Sequence, residues 1–288
     1  MMWAWHLLKE TLVNFMKDKA LSHGAAIAYY TVFAIAPMLV IVIAVAGLIF
    51  GEKAAQGAIS AQLSDLMGDT GAKGIEALVR SASNRNAGLA ATAVGFGTLI
   101  LAASSVFVEM QSALNAIWKT RARHPSLRAF VRARAASFGL VVTVGFLLLV
   151  SLAASTAISA LDKYIDHFFP SGHLLFQGIN FVISFTLISM LFAAVYKVLP
   201  DKRIAWNDVL IGAVSTSFLF TIGKSLIGLY IGSSAVTRAY GAAGGLIIVL
   251  LWVYYSAQIF LLGAEFTKAY AERHGSHAPG ALLQPKDE

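Results

Sequence analysis

The sequence predicts an all-α, polytopic membrane protein with six transmembrane helices, an amphipathic N-terminal helix and short external helices between the first two spans. Three observations predict it. Of 288 residues, 58 % are hydrophobic and only 13 % are charged, against about a quarter charged in a soluble domain. The mean hydropathy is +0.71. The apolar residues fall into runs of about 20, the length that crosses a hydrocarbon layer of about 30 Å at 1.5 Å per residue.

The chain starts with MMWAWHLLKETLVNFMKDKALSH. Trp5, Leu8, Leu12 and Phe15 recur at helical spacing, without the basic start, short apolar core and small-residue cleavage site of a signal peptide. Residues 1–27 therefore read as an amphipathic helix, lying at the membrane surface or packed under the spans. Residues 28–264 hold the spans: Ala28–Phe50, Gly88–Val108, Ser137–Ile158, Phe176–Tyr196, Val209–Ile231 and Ala242–Ala264. Between the first two, residues 51–87 carry Ile59, Leu63 and Leu66, then Ile75, Leu78 and Val79. That spacing predicts two short amphipathic helices outside the membrane. Residues 265–288 form a tail.

Basic residues set the orientation. The segment 119–134, KTRARHPSLRAFVRAR, holds six Lys and Arg and no acid. Taken with the N-terminal region, the segment 197–203 and the tail, fifteen of the 22 Lys and Arg fall on one side, and six on the other. The positive-inside bias places both termini in the cytoplasm. It accounts for the net charge of +7 without nucleic acid. The 119–134 run suits anionic lipid headgroups better than RNA.

The chemistry-bearing motifs are few. Cys is absent, so there is no disulfide framework or thiol chemistry. No HExxH, carboxylate–histidine cluster or P-loop occurs. The expectation is a protein that is not an enzyme and has no cofactor, metal or catalytic residue.

Polar residues inside apolar runs are the candidates for a substrate path. Lys224 lies about 24 Å along the fifth span from Asp208, with Ser217 and Thr221 on its face. An ammonium there either snorkels to the surface or lines a path for an anionic substrate. Pro37, inside the first span, predicts a kink or local unwinding. Asn180 is a candidate for hydrogen bonding across helices.

A second group lies at the cytoplasmic ends of spans. Glu109 ends the second span and Glu265 the last. Tyr254, Gln258 and Glu265 form one strip on their helix. Asp208 is at similar depth, and His23, Tyr29 and Tyr30 flank the start of the first span. These eight predict a cytoplasmic polar network, either a structural anchor or a carrier of protons. The pairs Gly228/Gly232 and Gly241/Gly245 predict close packing between the last two spans. Such small-residue faces suit internal packing and a homo-oligomer alike. Trp118, Trp206, Tyr196 and Tyr230 suit interfacial anchoring, and Trp252 lies deeper.

Three stretches carry a family resemblance: LSHGAAIAYYTVFAIAPML, EMQSALNAIW and YGAAGGLIIVLLWVYYSAQIFLLGAEF. Their order and spacing over nearly the whole chain resemble the YihY/BrkB family of bacterial inner-membrane proteins. His23, Tyr29, Tyr30, Pro37, Glu109, Tyr240, Gly241, Trp252 and Glu265 match the family's marked positions. The family once carried the name of a tRNA-processing ribonuclease, and no acidic or histidine pair suited to phosphodiester cleavage is found here outside the spans. Relatives are linked with serum resistance and with export of a lipid A precursor. The resemblance thus implies a transporter or flippase for an anionic lipid or other amphiphilic envelope component in the inner membrane. The alternatives are a proton-coupled small-solute transporter and a non-catalytic envelope scaffold.

Overall fold

The computed structural model describes residues 2–82, 105–120, 172–233 and 244–277, and every regular element among them is helical. In chain order these are α1 (Met2–Lys17), α2 (Ala20–Phe50), α3 (Glu52–Ala82), α4 (105–117), α5 (Gly172–Val198), α6 (Trp206–Ser233) and α7 (Gly244–Arg273).

Four of these helices are long and apolar enough to cross a membrane, over Ala20–Val40, Phe181–Val198, Trp206–Gly228 and Gly244–Arg273. The expected spans at 88–108 and 137–158 lie outside the described residues, except for 105–108 at the start of α4. The outer face of α6 shows why lipid is the fitting solvent. Leu210, Val214, Phe218, Ile222, Leu226 and Tyr230 recur every four residues, and all are exposed. Water tolerates no such apolar stripe on a monomer without a partner, whereas lipid tails do.

α7 is the central mast and packs against α1, α2, α3 and α6, while α5 lies against α6. Two apolar clusters form around it. One joins the C-terminal half of α7 to Phe15, Ile27, Leu114, Tyr196 and Val209. The other joins Val249 and Val253 of α7 to Ala28, Met67 and Ile75. The first holds the pole of the bundle that carries α1; the second holds the opposite pole, where α3 lies.

The chain turns from α1 to α2 at Lys19, whose φ of 55° is left-handed. This break comes earlier than the expected boundary at 27, because the apolar period of the first span already starts at Ala20. α1 buries Leu7, Thr11 and Phe15 and leaves Trp5, Leu8, Leu12 and Met16 exposed. Phe15 therefore belongs to the inner face rather than sharing the outer one. α1 packs under α7 and still presents an apolar stripe outward.

α2 stays helical through Pro37, so no local unwinding opens there. The chain leaves α2 at Gly51, with φ 85°, a conformation that glycine reaches without steric cost. α3 has two arms that meet at Gly68 (φ 77°, ψ 165°). The two amphipathic helices expected after the first span are these arms. At the other end α7 runs past Ala264 to Arg273, which places Glu265 inside a helix rather than at the head of a tail.

Candidate functional site

The pole that carries α1 gathers the polar side chains. Asp18, in the α1–α2 turn, forms an ion pair with Lys119 at the end of α4. His23 Nδ1 and Glu109 Oε1 are 2.7 Å apart, linking α2 to α4. Asn115 donates to Asp201 Oδ2 at 2.7 Å, and the Asp201 N–H donates back to Asn115 Oδ1 at 2.9 Å. Arg273 meets Glu10 at 2.6 Å. Asp208 accepts from the Ser276 N–H (3.1 Å) and hydroxyl (2.6 Å). One end of the bundle is thus laced by five polar pairs, each joining segments far apart in the chain. Hydrogen bonds to charged groups are about twice as strong as neutral ones, so these pairs fix which chain ends meet.

Glu265 lies behind this lacing, fully buried on α7. Neither of its carboxylate oxygens has a hydrogen-bond donor among the described residues, and Asp18 Oδ2 is likewise buried without one. Asp18, Lys268 and Lys119 are the charged groups acting on it. Gln258, on the same side of α7, reaches the Leu21 carbonyl at 3.4 Å, and Gly24 leaves room for its side chain. Tyr254 packs on the cluster that joins α2 and α3. The expected strip Tyr254–Gln258–Glu265 therefore exists, and it faces α2 and the α1–α2 turn.

The two tyrosines expected in that network face away from it. Tyr29 is 58 % exposed and Tyr30 36 %; the pair stack edge-to-face with each other at 5.5 Å, and Tyr29 meets Phe33 at 5.0 Å. Depth along α2 was legible for these rings, but their direction around it was not. Asp208 keeps to its own pairing with Ser276.

Among the path candidates, Ser217 donates to the Ala213 carbonyl at 2.8 Å and Thr221 to the Ser217 carbonyl at 2.8 Å. Both hydroxyls are spent on their own helix. Lys224 is half-buried one turn farther along α6. The side chains of Pro37 and Asn180 lie outside the described residues, as do the residues of the basic run beyond Thr120.

The glycine contacts differ from those expected. Among the described residues nothing approaches Gly228, and Gly245 packs on Gly74 of α3 rather than on α6; the contacts of Gly232 and Gly241, the other members of the two expected pairs, lie outside the described residues. The α6–α7 seam instead closes where Gly212 faces Thr267, Gly223 faces Tyr255 and Gly263 faces Thr216. Each is a glycine opposite a larger side chain, a pairing that a four-residue glycine period does not reveal. Trp118 and Tyr196 are core residues, not interfacial anchors, at 3 % and 2 % exposure. Tyr196 donates to the Phe260 carbonyl at 2.7 Å and lies 3.0 Å from the Thr216 hydroxyl. Trp252 donates to the Leu66 carbonyl at 2.8 Å and ties α7 to α3.

Two of the open volumes among the described residues border α2. One is an apolar recess of about 330 Å³ where α2, α4, α5, α6 and α7 meet, with Ile27, Phe107, Ile188, Phe192, Phe220 and Val253 among its walls. The other, of about 560 Å³, lies between α2 and the two arms of α3 at the opposite pole. α2 lines both. Ile27 and Ile43 are about 24 Å apart along it.

The chain is 29 % identical over 264 residues to a UPF0761 membrane protein of Alkalilimnicola ehrlichii, covering 90 % of this chain and 56 % of that one. A UPF0761 membrane protein of Aeromonas salmonicida is 27 % identical over 274 residues, 93 % of this chain and 89 % of that one. One from Rhodospirillum centenum is 24 % identical over 269 residues, 92 % and 57 %. The chain thus spans little more than half the length of the first and third, and most of the second. No solved structure matches. The profile of the family described as Virulence factor BrkB matches residues 11–287. With that match over nearly its whole length, the chain is a membrane protein that belongs to the BrkB family.

Proposed function

We propose that this protein is a transporter in the bacterial inner membrane that moves an anionic lipid or other amphiphilic envelope component across the bilayer. In this reading the chain has six spans and both termini in the cytoplasm, and it moves its substrate without changing it covalently. The 119–134 run rests on anionic headgroups.

The observation that carries the reading is the apolar recess. A small ion or polar solute needs donors and acceptors along its route. The hydroxyls of Thr216, Ser217 and Thr221 on α6 donate to carbonyls of their own helix. The recess walls offer almost no polar group except Ser256, whose hydroxyl also donates within its helix, to Trp252. An acyl chain needs only such walls. The exposed apolar faces of α5 and α6 beside it give lipid a direct approach.

The test is reconstitution of purified protein in liposomes with fluorescent phosphatidylglycerol and a quencher confined to the outer leaflet. Lipid movement above that of empty vesicles is expected, slowed by Ile188→Trp, which fills the recess. No movement of any of several anionic lipids by folded protein overturns the proposal.

One feature favours the proton-coupled alternative: the buried Glu265 carboxyl beside Asp18. Solute flux driven by a pH gradient and abolished by Glu265→Gln would establish that reading in place of the first.

A further inference from the structure

α1 and α2 run one after the other along α7. Glu10 meets Arg273 and Asp18 meets Glu265, in equal steps forward along α1 and back along α7. Gln258, farther back on α7, then reaches the Leu21 carbonyl of α2. The joint between the two helices is therefore the Asp18–Lys19 turn, and Glu265 is the α7 side chain that faces it.

Three features single out this joint. Glu265 is fully buried, and both its oxygens and Asp18 Oδ2 lack a donor among the described residues. The two carboxyl groups lie within hydrogen-bonding reach of each other. Ionised carboxylates only accept, so neither satisfies the other, and two like charges in a dry contact do not both ionise. Third, Lys19 and Lys119 are the non-glycine residues with left-handed backbone among those described, at φ 55° and 51°. Lys19 follows Asp18, and Lys119 is the ion-pair partner of Asp18. Such backbone is uncommon outside glycine and persists only where the surroundings hold it.

The charged groups around the pair have separate duties. Asp18 from the turn, Lys119 from the end of α4 and Lys268 from α7 itself act on Glu265. Lys119 is committed to Asp18. Lys268 is buried one turn along α7 and makes no hydrogen bond to Glu265. His23 of α2 pairs with Glu109 of α4, and Glu10 with Arg273.

We infer that Asp18 and Glu265 hold one proton between them, and that this proton latches the α1–α2 joint onto α7. With Asp18 paired to Lys119, the proton resides on Glu265, whose hydroxyl donates to Asp18 Oδ2. Its loss leaves two carboxylates face to face, and the joint opens. The Lys119 side chain is 60 % exposed, so water lies one residue from the pair and takes the proton there. The closed joint binds one proton more than the open one, so rising pH favours opening. The latch belongs to the fold and rests on neither transport reading.

The experiment uses the full chain in nanodiscs, with nitroxide labels at Lys17→Cys beside the joint and Asn207→Cys at the start of α6, both exposed positions. Distances are read by pulsed EPR from about pH 5 to about pH 9, a range that covers ordinary and strongly shifted carboxyls. One distance is expected at the lower end and a second, longer population at the upper end, their ratio changing by up to about tenfold per pH unit. Difference infrared spectra should show a protonated-carboxyl band lost with the same midpoint. Glu265→Gln sets an amide donor opposite Asp18 and should remove both the band and the second population. Asp18→Asn gives Glu265 a donor and should also abolish the pH response.

One unchanging distance across the whole range overturns the latch, and so does an opening that survives both substitutions. A carboxyl band unaltered by Glu265→Gln overturns the shared proton. If one variant does not fold, the other and the unsubstituted chain still decide. An opening that follows pH, with no solute flux in liposomes, keeps the latch and sinks the proton-coupled alternative. Flux lost in Glu265→Gln, with a joint that never moves, sinks the latch and keeps that alternative.

Discussion

Tyr196 shows what one hydroxyl does between apolar helices. It stands on α5, touches Thr216 on α6 and donates to the Phe260 carbonyl on α7. Its ring stacks on that of Phe260 at 5.4 Å. Removing the hydroxyl keeps the ring and loses the polar link. Tyr196→Phe should lower stability by about 1–2 kcal/mol, read as an earlier midpoint in denaturant titration in detergent, with normal membrane insertion. The His23–Glu109 pair supports a second expectation. Each is about three-quarters buried, so the contact is sheltered without being dry. His23→Ala, Glu109→Gln and the double variant should be non-additive, with a coupling of about 1–3 kcal/mol in the same titration. Additive losses would mean that the contact contributes nothing. Their common end of the bundle was legible in the sequence, because both residues lie at the end of a span on the same expected side; their pairing was not. Tyr29 and Tyr30 share that depth and still face outward, since depth along a helix leaves its rotation open.

α3 bends at Gly68, and two contacts with α7 bear on its arms. Its first arm is held by Trp252 through the Leu66 carbonyl. Its second arm meets α7 where Gly74 faces Gly245, and a side-chain carbon added to Gly74 would lie 2.8 Å from the Gly245 carbonyl carbon. Backbone cannot yield there as a flexible side chain does. Gly74→Leu should therefore lift the second arm, seen as faster amide exchange across 69–82 with exchange in α5 and α6 unchanged. Unchanged exchange in 69–82 would mean that the arm is held elsewhere. The periods of Ile59, Leu63 and Leu66, and of Ile75, Leu78 and Val79, made both arms readable. The glycine seam was not readable in the same way. A glycine marks where a neighbour can come close, but not which neighbour, so Gly245 reads equally well against α6 and α3. The same ambiguity hid the α6–α7 seam, where Gly212 and Gly263 face threonines.

At the scale of the molecule, the basic residues and the polar pairs lead to one arrangement by different physics. Positive-inside bias groups the N-terminal region, the end of α4, the turn between α5 and α6 and the end of α7 on one side of the membrane. The pairs Lys119–Asp18, Asn115–Asp201, Asp208–Ser276 and Glu10–Arg273 bring the same segments together at one pole. Hydrogen-bond geometry does not know where the cytoplasm is, and charge bias does not know which residues touch. The side itself is the part to test, and the absence of Cys from the chain makes single-cysteine labelling clean. Lys17 and Arg203 are exposed at the laced pole, and Ala54 is exposed at the root of α3. With a membrane-impermeant maleimide on spheroplasts, Ala54→Cys should label at once, and Lys17→Cys and Arg203→Cys only after permeabilisation. The opposite result for all three would invert the protein in the membrane and leave its bundle intact. A split between Lys17→Cys and Arg203→Cys would do more damage: it would place on opposite faces two chain ends that the polar pairs hold at one pole, and the packing around α7 would fail with it.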